Sequence, residues 1–304
     1  MNYDELAAAY LDPASATSAE PLVVADAGPA RRLRDAFEPL SMHAVWSPLV
    51  HERMAAQGLD FFGTYVWGRA CVLGEPSGGV VASAFAAFEP GMICGIYDQA
   101  RSTVGQADAH RITFDSTAES LQSVLGASEA DSVASVGDRL AAVVDGLDRT
   151  GRPLFAGVAS MDWLDDPFGK VFQACLALRE HRGDGHTASY IGAGYGPVQM
   201  NILTELWLGY PLGEYSGSRA WPEDVTASAL DSLRHCGLLD GDELTAEGQA
   251  ARAAIENSTD AMEQPVADAL GADLDATIDA LAGWSQTCVD AGTFPPDPRK
   301  RAAG

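Results

Sequence analysis

The stretch from Phe168 to His186, FGKVFQACLALREHRGDGH, constrains the fold more than any other part of the chain. Val171, Ala174, Cys175 and Leu178 recur at helical spacing and form an apolar stripe that must face a core. Continuing that spiral carries His181 and Arg182 onto or beside the buried side, with Glu180 nearer the flank. A run of ionisable side chains and two glycines thus falls at the end of a core helix. The triplet Gly183-Asp184-Gly185 is expected to end that helix, because glycine takes positive φ without strain, and Asp184 to cap a second helix resuming at His186.

The remaining chain punctuates itself in the same way. Helices are expected from Pro29 to Pro39, after Ser47-Pro48, through the aromatic DFFGTYVWGRACVLG, through GVVASAFAAF, across residues 93 to 149, and through VQMNILTELWLG. The segment EDVTASALDSLRHCGLL, the turn Asp240-Gly241-Asp242 and the helix after Thr245 read as a recognition helix, a wing and the following helix. Gly151-Arg152-Pro153 is the strongest break. The expectation is a mainly α chain of two helical halves: an N-terminal arm at 1–27, a helical domain at 28–150, a winged-helix-like domain with a short β-wing at 151–296, and a tail at 297–304. GGVVASAFAAFEPGMI and PEDVTASALDSLRHCGLL share a spacing of small and apolar residues, which a tandem duplication would leave.

Charge narrows the partners. The chain holds 43 acidic against 19 basic residues, a net −24, and such a field repels phosphate backbones and anionic membranes. Neither nucleic acid nor membrane is expected as a partner. The five cysteines are scattered and form no CxxC pair, which reads as reduced thiols of a cytoplasmic protein. The N-terminus lacks the basic and apolar regions of a secretion signal, and no apolar run approaches the ~20 residues needed to span a bilayer.

Taken together, FEPLSMHAVW, YVWGRACVLG, GRPLFAG, the WLDDP turn, LREHRGDGH, RAWPEDV, GLLDGDELTAEG and IENSTD resemble an actinobacterial family of helix-turn-helix-like proteins, across roughly Ala30 to Pro296. That resemblance implies a mainly helical fold with winged-helix character in the C-terminal half, akin to regulators of multiple antibiotic resistance. Winged-helix relatives often dimerise through terminal helices, so a homodimer is a compatible state.

The LREHRGDGH segment has two competing readings. As a joint, its arginines pair with Asp184 and a distant acid, and its histidines cap carbonyls. As a site, His181 or His186 moves protons, Glu180 and Asp184 orient them, and Arg182 holds an anionic group. Tyr65, Trp67, Arg69 and His43 are candidates for an opposite, aromatic wall, and Arg69, the lone positive charge in its segment, needs a buried partner. The spacing of His181 and His186 lacks the i, i+4 facing of a zinc helix, so no metal is assigned. Without GxGxxG after a strand or GxxxxGK[ST], no nucleotide cofactor is assigned either. The leading expectation is a cofactor-independent acid/base enzyme, of lyase, isomerase or cyclase type, acting on a small aromatic or anionic molecule. The alternatives are a ligand-sensing or resistance protein and a transcriptional regulator. A recognition helix with Glu223, Asp224 and Asp231 beside Arg234, and a wing of Asp240, Asp242 and Glu243, argues against DNA docking from charge alone.

Overall fold

The computed structural model describes residues 3–12 and 27–302, and within them the chain is mainly helical. Before Gly151 come α1 (Tyr3–Tyr10), α2 (Pro29–Ser41), α3 (His43–Trp46), α4 (Pro48–Ala55), α5 (Phe61–Ala70), α6 (Gly78–Phe85), α7 (Pro90–Thr103), α8 (Gln106–Leu125) and α9 (Ala130–Asp145). After it come α10 (Pro153–Val158), α11 (Pro167–Gly192), α12 (Pro197–Trp207), α13 (Glu223–His235), α14 (Ala246–Leu270), α15 (Leu274–Asp290) and α16 (Pro298–Ala302). Among the described residues the only strands are β1 (Leu239–Asp240) and β2 (Glu243–Leu244), an antiparallel hairpin pairing Leu239 with Leu244.

Local chemistry sets most boundaries. Proline opens α2, α4, α7, α10, α11 and α12, at a position whose N–H has no partner inside the helix in any case. The side chains of Asp60, Glu89, Asp166 and Thr245 accept hydrogen bonds from the first-turn amides of α5, α7, α11 and α14. The described part of the expected N-terminal arm lies on the fold: Leu6 is buried, and Tyr3 donates to the Trp46 carbonyl while stacking on His51. The small-residue stretch after it lies outside the described residues.

One boundary departs from expectation. α11 does not stop at Gly183 but runs unbroken for 26 residues, so Asp184 caps no helix of its own segment. Of the two glycines, Gly185 serves close approach instead. A Cβ on Gly185 would stand 2.9 Å from Nη1 of Arg152, which crosses α11 there to donate to the His181 carbonyl. Gly183 has only Glu180 near it, at 3.8 Å, and faces open space. Each glycine in a helix interior costs about 1 kcal/mol relative to alanine, and burial of α11 among its neighbours offsets this.

α11 is the axis of the largest core. Phe168, Val171, Phe172, Ala174, Cys175 and Leu178 pack with Leu33 and Phe37 of α2, Phe114 of α8, Leu140 of α9, Phe155 of α10 and Leu281 of α15, so this core draws on both sides of Gly151. A second core joins α4 to α8 around Trp67, Met54, Tyr97 and Phe85. A third holds α12, α13 and the hairpin together: Ile202, Leu203, Leu233, Leu239 and Ile255, with Tyr190 from the end of α11 and Met200. α13 sits on this third core by a single stripe. Only Leu233 is buried and most of its remaining surface is open to solvent.

Candidate functional site

Where α11 passes between the N-terminal helices and the α12–α14 segment, a cavity of about 430 Å³ opens. Its size is that of sites for drug-sized molecules, roughly 300–1,000 Å³. The walls are aromatic: Phe37, Trp46, Phe61, Phe62, Tyr65, Phe85, Phe88, Tyr190, Tyr215 and Phe294.

The polar lining is biased against the composition of the whole chain. Among the described residues seven basic side chains face this cavity, Arg34, Arg69, Arg179, Arg182, Arg219, Arg252 and Lys300, against two acids, Glu38 and Glu256, in a chain where acids outnumber bases 43 to 19. Glu256 of α14 is the shared counter-ion of the floor. Its Oε1 accepts from Arg31 at 2.5 Å and from Arg182, and its Oε2 from Arg252 at 2.6 Å. Burial alone would push this carboxyl up, but Arg252, Arg182 and Arg31 overcome it and hold it well below the usual range. Arg252 also lies 4.3 Å over the Trp207 ring. His186 donates from Nδ1 to Thr259 Oγ1 at 3.1 Å, since that hydroxyl spends its own proton on the Ile255 carbonyl. Burial, together with Arg252, Arg182 and Arg34, presses its pKa down to about 3, so the imidazole is neutral at physiological pH.

Several polar atoms here have no hydrogen-bond partner among the described residues. Nε and Nη2 of Arg34, Nε of Arg219, Nε of Arg252 and Oε2 of Glu38 are buried and unbonded. A buried polar atom left unmade costs on the order of 1–3 kcal/mol, and such atoms gathered around one cavity are what a ligand would satisfy.

The residues singled out from the sequence divide. Arg182, His186, Tyr65 and Arg69 line the cavity. His181 does not; it points to the opposite side of α11, where Nδ1 donates to Glu263 at 2.6 Å and the ring meets Phe155 edge-on. Asp184 lies on that side too. Its Oδ2 accepts the Phe155 amide at 3.0 Å and so caps α10 across the interface, with burial pushing its carboxyl up to about 6. Glu180 is buried against Arg69 in a two-pronged pair, both contacts 2.7 Å, beside a small hollow of about 40 Å³. Burial raises its pKa, but Arg69 and Arg179 outweigh it and the group ends below the usual range. His43 is wholly buried on Ser120, with its pKa pushed down to about 3 by burial. Trp67 lies in the second core and donates to the Val104 carbonyl. Of the four residues expected to face LREHRGDGH, Tyr65 and Arg69 line the aromatic cavity, and Trp67 and His43 do not.

Sequence reasoning missed Arg34, Arg219, Arg252, Glu256 and Lys300. They come from α2, the loop before α13, α14 and α16, and no local pattern marks them. Among the described residues no three His, Cys, Asp or Glu side chains are grouped to hold a metal ion, and no helix is long and apolar enough to cross a membrane.

No curated protein and no solved structure matches the chain. A family model described as a helix-turn-helix family matches residues 30–295. A helix-turn-helix lays its second helix in a DNA groove, which corrects the expectation, drawn from net charge, that nucleic acid is not a partner. Net charge averages over a whole surface, whereas docking depends on one exposed element. The match spans most of the sequence, and the chain belongs to the helix-turn-helix family.

Proposed function

We propose that this protein is a ligand-responsive regulator: a small molecule occupies the cavity, and its presence is read by a winged-helix unit made of α12, α13 and the β1–β2 hairpin. The observation that carries this reading is the double use of Tyr190 and Met200, which line the cavity and also belong to the core on which α13 rests. α14 makes a second link, since it starts directly after the hairpin and carries Arg252 and Glu256 to the cavity floor. A ligand that moves these side chains changes the seat of α13.

Binding is favoured over turnover. His186 is held neutral at physiological pH, and His181 and Asp184 are committed to Glu263 and to the amide of α10. None of the three is a proton carrier poised at the cavity.

Selection from a random duplex library tests the regulatory reading. Arg234 is the one arginine on α13, and it is tied to Asp231 and Asp242, so few phosphates are neutralised and base contacts must carry the discrimination. Enrichment of a defined sequence is expected, with a shallow salt dependence, a log–log slope of about −1 to −2. If no sequence rises above the unselected pool at low salt, the regulatory reading is wrong.

A further inference from the structure

The cavity's charge is not closed by the protein. Arg69 and Arg179 answer Glu180 and Glu38, and Arg182 and Arg252 answer Glu256 and Asp260. Arg219 and Lys300 are different: among the described residues neither has a carboxylate at ion-pair distance. Each lies instead over aromatic rings, Arg219 at 4.2 Å from Tyr215 and 4.7 Å from Phe88, Lys300 at 4.4 Å from Tyr10. The two cations are near enough that Arg219 adds to burial in lowering the Lys300 pKa.

Arg219 is also held firmly in place. The buried carboxylate of Glu205 accepts from the amides of Gly213, Tyr215 and Ser216 and from the Ser216 hydroxyl, all within 2.9 Å, which fixes the loop that ends in Arg219. From the other side, the Arg219 carbonyl accepts the Glu89 amide at 3.0 Å. Among the described residues only Ala86 and Ala220 are non-glycine residues with positive φ, at 53° and 61°. Ala220 follows Arg219, and Ala86 lines the cavity. Strain of this kind persists where the surroundings over-determine the backbone, and functional sites collect it.

Two like charges thus face an aromatic cavity with no carboxylate at ion-pair distance among the described residues, and the Nε of Arg219 is buried without a hydrogen-bond partner there. We propose that the ligand of this cavity is an aromatic organic acid, its rings on the aromatic walls and its acid group bridging Arg219 and Lys300. This rests on the ligand-binding half of the proposed function and is independent of any nucleic acid partner. A guanidinium and an ammonium would each supply a charge-assisted hydrogen bond, the stronger kind in an enclosed site. The body of the ligand needs a hydrogen-bond donor or an apolar edge toward His186, whose Nε2 can only accept.

Fluorescence titration with 8-anilinonaphthalene-1-sulfonate and with N-phenyl-1-naphthylamine, the same rings without the acid group, tests this on the full chain. The sulfonate is expected to bind about tenfold or more tightly than the neutral amine. Arg219→Met and Lys300→Met should each weaken the sulfonate about tenfold and leave the amine within about twofold. Arg111→Met, the same change of charge on an exposed residue paired with Asp108, should move neither. Equal affinities of the two probes for the native protein overturn the proposal while leaving a binding cavity, and so does a parallel loss of both probes in the variants. Binding of neither probe removes the cavity reading as well, and the duplex selection stands apart from all of these outcomes.

Discussion

The two sides of α11 carry the same types of side chain and end in different states. On the side of α10, Asp184, His181, Arg152 and Glu263 form a closed set: the Asp184 carboxylate meets an amide, His181 meets Glu263, and Arg152 reaches both Glu263 and the His181 carbonyl. None of these residues has a buried polar atom without a partner. On the cavity side, Arg182 and His186 stand among arginines that outnumber their carboxylates, and unbonded donors remain on Arg34, Arg219 and Arg252. Successive residues of a helix diverge by about 100°, so one motif serves as a joint on one side and as the wall of a cavity on the other. A dense polar motif therefore need not be one thing; its parts are separated by which groups find partners.

The largest effect should come from the member on which the cavity side depends. Glu256 is the counter-ion of Arg31, Arg182 and Arg252, and removing one partner of a buried pair typically costs 3–5 kcal/mol because the remaining charges stay buried. Glu256→Gln should lose stability of that order in urea denaturation, unless an added anion refills the position. A loss under about 1 kcal/mol would mean that the cluster reaches solvent and that the contrast between the two sides is overdrawn.

Helices were legible from the sequence because proline, glycine and first-turn acceptors act locally, as at Pro167 with Asp166 and at Thr245. So was the need of Arg69 for a buried partner, since a lone charge in an aromatic helix cannot stay unpaired, and Glu180 provides it. The helix end expected at Gly183 was illegible for a physical reason. Two glycines flanking an aspartate look like a cap, and only the crossing of Arg152 explains Gly185. The cations of the cavity were illegible for a similar reason. Arg34, Arg219 and Lys300 are far apart in the chain and meet only when α2, the loop before α13 and α16 are assembled. His43 and Trp67 carried the right chemistry for a wall, but the packing of α3 and α5 turns them into the core.

pH separates the two sides by sign. Asp184 has a folded pKa raised from 3.8 to about 6, so the folded state holds its proton more tightly than the unfolded chain, and its contribution makes stability fall as pH rises from about 4 to 6. His186 has a folded pKa lowered from 6.5 to about 3; the unfolded chain takes the proton first, so its contribution makes stability rise from about pH 3 to 6.5. The contributions are on the order of 3 kcal/mol for Asp184 and 5 kcal/mol for His186 across their windows. Native-minus-variant stability curves for Asp184→Asn and His186→Gln should slope in opposite directions between pH 4 and 6. Slopes of the same sign would show that the two groups share one environment after all.

The smallest effect is the most specific to the glycines. Gly183 faces the cavity with nothing closer than 3.8 Å to an added Cβ, so Gly183→Ala should gain the helical preference of alanine, about 0.5–1 kcal/mol, while narrowing the space for a ligand. At Gly185 the same methyl would stand 2.9 Å from the Arg152 guanidinium, which is pinned to the His181 carbonyl and cannot withdraw without giving up that bond. Losing a charged hydrogen bond of about 1.5–3 kcal/mol outweighs the propensity gain, so Gly185→Ala should destabilise. Two identical substitutions two residues apart are thus expected to move the urea midpoint in opposite directions. The Gly183 variant should also bind the sulfonate probe more weakly, whereas the Gly185 variant, once folded, should bind it as the native protein does. A Gly185 variant as stable as the Gly183 one would mean that Arg152 yields easily and that the closed side of α11 is looser than its bonds indicate.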